Sequence, residues 1–123
     1  MALLMGIDLG TSGLKTIVID EAGAVKALSK RSYTFESPHS GYAEHDPDAW
    51  WNACRETIRE ALASCGCAPE EIAGVSFSGQ MHGLVPLDGN LQPVRPAILH
   101  CDARSGKQVQ EIRSLLGTNG IHA

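Results

Sequence analysis

A chain of 123 residues with 43% hydrophobic content suffices for one small domain with its own core, and not for two. Its net charge of −4 and lack of any Lys/Arg cluster exclude the basic face that a nucleic-acid backbone requires, and 5% aromatic content offers few stacking residues. No apolar run reaches membrane-spanning length, and the first five residues lack the basic start and long apolar stretch of a secretory signal. The expectation is a cytoplasmic protein with neither nucleic acid nor membrane as partner.

In chain order, residues 3–9 and 14–19 read as short buried strands, joined across Gly10-Thr11-Ser12-Gly13. Glycines at both ends of that turn let backbone approach a ligand, and successive N–H groups with the Thr11 and Ser12 hydroxyls supply donors for phosphate oxygens. Asp8, at the mouth of the turn, is suited to hold magnesium through water. The same residues also suit an ordinary hairpin, and both readings stand at this point. A Walker loop is excluded because Gly13 leads into the β-branched run Leu14-Lys15-Thr16-Ile17-Val18-Ile19 rather than Lys-Ser or Lys-Thr and a helix. No Gly-x-Gly-x-x-Gly occurs either.

Residues 25–35 are expected to form a third strand and 36–46 a polar loop. Asp46-Pro47-Asp48 is a strong helix start, with Asp46 as cap and proline at the first helical position. Trp50, Trp51, Cys54, Ile58, Ala61, Leu62 and Cys65 then recur at helical spacing until Gly66, which makes both tryptophans packing residues. Cys65-Gly66-Cys67 is too tight for a zinc knuckle, and Cys54, Cys65, Cys67 and Cys101 read as free, partly buried thiols. Residues 72–78 are expected to form a buried strand, residues 84–87 and 91–94 a hairpin across Asp88-Gly89-Asn90, residues 96–99 a further strand-like run, and 102–116 a last helix ending at Gly117.

Two further clusters carry chemistry. Gly79-Gln80-Met81-His82-Gly83 breaks a strand at its carboxyl end, where α/β sheets place ligands, and displays an amide, a thioether and an imidazole. That set suits a small polyol, although His82 taken alone also reads as a locally satisfied histidine. In His100-Cys101-Asp102-Ala103-Arg104, Asp102 either caps the last helix, with Arg104 on a surface acid, or accepts sugar hydroxyls or orders the 80–82 loop.

Together, Gly6-Ile7-Asp8-Leu9-Gly10-Thr11-Ser12-Gly13-Leu14-Lys15, Gly41-Tyr42-Ala43-Glu44-His45-Asp46-Pro47-Asp48-Ala49-Trp50-Trp51, Ser78-Gly79-Gln80-Met81-His82-Gly83 and Arg95-Pro96-Ala97-Ile98-Leu99 with Asp102 and Arg104 resemble the N-terminal part of the xylulokinase group of FGGY carbohydrate kinases. The resemblance implies an α/β, ribonuclease H-like or actin-like ATPase fold, with residues 1–123 an incomplete N-terminal domain: a mixed sheet with flanking helices. It implies ATP and Mg2+ as cofactors, a small-molecule sugar as substrate, with D-xylulose expected, and Asp8 as the activity-supporting acid near magnesium. Gly10, Thr11, Ser12, Gly13 and Lys15 would face the ATP phosphates, and Gln80, Met81, His82 and Asp102 the sugar. The family's proton-accepting aspartate, adenine pocket and second domain are expected beyond residue 123, so the chain alone is expected to be inactive. His100 stands where the family usually has Trp and Ala103 where it has Gly. Exposed sheet edges in an incomplete domain would favour self-association, including a homodimer. The rival readings are a non-catalytic, nucleotide-responsive actin-like scaffold, which has no evident need for the 80–82 loop, and a sugar-binding module or an interaction domain, in the last of which the glycines serve only turns.

Overall fold

The computed structural model describes residues 2–117. Its main sheet has four strands in the order β3-β2-β1-β5: β1 (Leu3–Leu9), β2 (Gly13–Asp20), β3 (Val25–Ser32) and β5 (Ile72–Gly79). β1, β2 and β3 form an antiparallel meander, whereas β5 returns parallel to β1, so the sheet is mixed. A two-residue antiparallel ladder joins β4 (Glu44–His45) to β6 (Ala97–Ile98). Helix α1 spans Pro47–Cys65 and α2 spans Gly106–Leu116.

α1 begins and ends where its local chemistry dictates. The Asp46 carboxylate accepts from the Asp48 N–H at 2.9 Å, proline opens the helix, and Gly66 closes it in the left-handed conformation at φ 68°. Ala53, Thr57 and Ala61, spaced four apart, are its buried residues, and their small side chains let the helix lie close on β2 and β3. The core beneath comprises Met5, Ile7, Leu14, Val18 and Ala27. The larger stripe read from the sequence is displaced to the helix flank, where Trp51, Cys54, Ile58 and Leu62 line an open apolar groove of about 450 Å³ with Val75 and Phe77. Trp51 is accordingly 63% exposed rather than a packing residue, while Trp50 is half-buried.

Polar contacts fix the helix over β2 and β3. Arg31 donates to Glu56 and to Glu60, and Glu60 also accepts from Ser29, so its carboxyl is held below the usual range chiefly by Arg31. In the fully buried layer Thr16 Oγ1 lies 2.8 Å from Thr57 Oγ1, which itself donates to the Ala53 carbonyl at 2.9 Å. Thr16 is therefore the donor of the pair. Thr57→Val strands the Thr16 hydroxyl and is expected to cost about 1–3 kcal/mol, more than Thr16→Val, because Thr57 keeps its carbonyl partner in that variant. Denaturant unfolding of the two variants side by side checks the order.

Several expected elements differ. β3 stops at Ser32 instead of residue 35, because Ser32 pairs with Gly13, the first residue of β2, and Tyr33 N–H turns to the Ser12 carbonyl at 3.2 Å. The 36–46 loop contains β4. The 84–94 segment reverses through the single bridge Leu87–Pro93 instead of a hairpin ladder, since Pro86 and Pro93 remove donors and Asp88 folds back on the Asn90 and Gln92 N–H groups. α2 starts at Gly106, not residue 102, because Asp102 is bound elsewhere; none of its residues is buried.

Candidate active site

β1 ends at Leu9, between two neighbours that leave the sheet at the same end. Its antiparallel partner β2 is reached through the 10–13 turn, and its parallel partner β5 runs out into the 80–83 loop. The turn is closed by the Gly10 N–H to the Gly13 carbonyl at 3.0 Å, and the loop is tied down by the Gln80 N–H to the Leu9 carbonyl at 2.8 Å. Both attachments bring backbone against backbone: a Cβ on Gly13 would stand 2.4 Å from the Arg31 carbonyl oxygen, and one on Gly79 2.9 Å from that of Leu9. The turn and the loop thus meet over the end of one strand.

Asp8 lies at that end, half-buried. Lys15 on β2 and Ser78 on β5 are its register partners, so all three project from the same face of the sheet. Ser78 Oγ donates to Asp8 Oδ1 at 3.0 Å. Asp8 Oδ2 points toward the turn, 3.9 Å from where a Cβ on Gly10 would stand. A cleft of about 310 Å³ joins Asp8, Gly10, Ser12, Gly13 and Lys15 with Lys30 and Arg31 of β3. Lys30, opposite Lys15 in the β2–β3 register, was not singled out in the sequence; strand pairing brings it there. Thr11 is half-buried in the turn and does not line this cleft.

Tyr33 braces the turn from outside, donating its phenol to the Gly10 carbonyl at 2.6 Å. Burial first and the Asp8 charge second push its ionisation upward, so the phenol stays a donor.

On the loop side, Met81 and His82 are exposed, and His82 holds φ 63°, a left-handed conformation uncommon outside glycine. His82, Leu84, Ile98, His100, Asp102 and Arg104 share a cleft of about 400 Å³. Gln80 points away from it, with its amide nitrogen 3.5 Å from His45 Nδ1. The Asp102 carboxylate is engaged within the protein: Oδ2 accepts from the Ala43 N–H and Arg104 Nη2, both at 2.7 Å, and Oδ1 from the Arg104 N–H and Nε. Arg104 holds its carboxyl well below the usual carboxylate range. Asp102 therefore does not cap α2. Arg104 also reaches Glu44 Oε1 at 2.6 Å, shared with Arg95, and stacks 3.8 Å over the Tyr42 ring. This cluster binds residues 41–45 to 95–104, and Glu44, to which the sequence reading gave no individual role, is its centre.

A mixed β3-β2-β1-β5 sheet with a glycine-bounded turn joining its two central strands is the actin-like ATPase class of fold. It is shared by the xylulose kinase of Rhodospirillum rubrum, at TM-score 0.87 and 29% identity over 95% of this chain and 24% of that one. The gluconate kinase of Lactobacillus acidophilus matches at TM-score 0.84 and 26% identity over 92% of this chain and 22% of that one. The model of the FGGY family of carbohydrate kinases, N-terminal domain, matches residues 3–123, and the chain belongs to that family. A xylulose kinase of Staphylococcus xylosus is 43% identical over 98% of this chain, which spans a quarter of that relative's length.

Proposed function

We propose that the chain is the opening segment of a longer kinase that transfers the γ-phosphoryl group of ATP to a hydroxyl of a small sugar, with D-xylulose the favoured acceptor. The observation that carries this reading is that a phosphate-suited turn and a polyol-suited loop leave the sheet at the same end of β1, beside Asp8. The choice of D-xylulose rests on the relatives' names, because the fold is common to sugar and gluconate kinases alike.

In this reading the N–H groups of the 10–13 turn, the Ser12 hydroxyl and the Lys15 ammonium align the nucleotide phosphates, with Lys30 adding positive charge at the rim and Thr11, which does not line the cleft, kept to shaping the turn. A single carboxylate backed by one hydroxyl suits magnesium, which keeps most of its water and takes few protein ligands. Asp8, with Ser78, would hold it through water, and the ion supplies neutralisation of phosphate charge. His82 and Met81 orient the sugar, and Asp102 acts through Arg104 and Ala43 by holding the wall of the His82 cleft rather than by touching the sugar. The acceptor oxygen forms the new bond to phosphorus as the bond to the β-phosphate bridging oxygen breaks, ADP leaves, and the hydroxyl proton passes to a base from a later part of the protein.

The test is ADP release by the longest reading frame containing this segment, with MgATP and D-xylulose, L-ribulose, glycerol or gluconate. Preference for D-xylulose supports the reading; preference for another acceptor keeps the kinase and replaces the sugar; no acceptor-dependent release favours the actin-like scaffold.

A further inference from the structure

His45 is buried, 2% exposed, in an aromatic surround, with the Tyr33 and Trp50 rings edge-on at 5.1 and 5.6 Å. Its Nδ1 lies 3.0 Å from Trp50 Nε1, which only donates. The lone pair is therefore on Nδ1 and the proton on Nε2. Burial pushes the imidazolium pKa down, which keeps the ring neutral. The same Nδ1 faces the Gln80 amide, whose nitrogen must point inward, because the amide oxygen would oppose a second acceptor. Through Tyr33 the ring abuts the side chain that grips the Gly10 carbonyl, and through Gln80 it touches the first residue of the sugar loop. A residue needed only for packing here would be better as phenylalanine, since His45 Nε2 and Gln80 Oε1 are both buried without a hydrogen-bond partner among the described residues.

We propose that His45 is a positioning residue for the sugar loop: its Nδ1, fixed as an acceptor by Trp50, sets the Gln80 amide and with it the course of the chain through Met81 and His82. The proposal rests on the reading of the 80–82 loop as the sugar site. The imidazole does not touch substrate in this account. It holds the loop in the orientation in which His82 lines the cleft.

The test is steady-state kinetics on the full-length protein, with melting temperature as a control. His45→Phe keeps an aromatic ring and removes Nδ1; it is expected to raise the sugar KM about three- to tenfold, as befits a long hydrogen bond on a lone pair shared with Trp50, with the MgATP KM within about twofold. His45→Asn returns an acceptor near the Nδ1 position and is expected to restore most of the sugar KM, which a packing role would not do. An unchanged sugar KM in His45→Phe, or failure of His45→Asn to rescue it, overturns the proposal. Should His45→Phe not fold, His45→Leu removes Nδ1 at similar volume, and an unchanged sugar KM there overturns it equally. Gln80→Ala separates the two layers: if it too leaves the sugar KM unchanged, the loop is not the sugar site. If it raises the KM while His45→Phe does not, only the role of His45 fails.

Discussion

Asp8→Asn in the full-length protein is expected to lower kcat by about 10²–10³-fold, the usual cost of removing one preorganised group from a charge-stabilising site. The melting temperature should barely move. The Asp8 carboxylate is half-buried, and its Oδ1 takes part in a single exposed hydrogen bond, from Ser78, which an asparagine carbonyl can still accept. The core beneath it is built by Met5 and Ile7, which point to the other face of β1. Asparagine keeps the shape and one acceptor, so what is lost is the negative charge beside the 10–13 turn. A kcat within about threefold of the parent protein would remove Asp8 from the reaction.

The second large effect is expected at His82. Asparagine is among the few residues that tolerate a left-handed conformation, so His82→Asn preserves the loop at φ 63° while shortening the side chain and removing the imidazole. The sugar KM is expected to rise about tenfold or more, with the MgATP KM unchanged, because the 10–13 turn is attached to β1 and Tyr33 independently of residue 82. His82→Gly should give the same rise in KM together with a slightly higher melting temperature, as the backbone strain disappears. A rise in both Michaelis constants would point to collapse of the shared end of β1 and β5 instead of loss of a sugar contact.

What was legible in the sequence was local. Asp46, Pro47 and Gly66 fix the ends of α1 by contacts within a turn of themselves, and the run from Leu3 to Ile19 announces two strands around a glycine-bounded turn. What was not legible depends on partners far along the chain. β3 ends because β2 has no residue left to pair with, and β4 exists only because Ala97 and Ile98 lie beside it. Asp102 looked like a helix cap because the residues around it are polar; its carboxylate instead meets the Ala43 N–H, 59 residues earlier. The large side chains of α1 drew attention from Ala53, Thr57 and Ala61, whose smallness sets where the helix sits. In the site, Asp8, Gly10, Ser12, Gly13 and Lys15 were readable as a unit because they are consecutive or nearly so. Ser78, Lys30, Tyr33 and His45 join that neighbourhood only through strand register and the packing of rings.

The two attachments of β1 also differ in how soon they become available as the chain is made. The meander of β1, β2 and β3 is complete once Ser32 has emerged, whereas the pairing of β1 with β5 must wait for residue 79 and for closure of a loop containing all of α1. During synthesis, the side of the site built by the 10–13 turn takes shape first, with the far edge of β1 bare until β5 arrives. Slowing translation between codons 33 and 72 would lengthen the life of that half-built sheet, and chaperone dependence should concentrate in that interval.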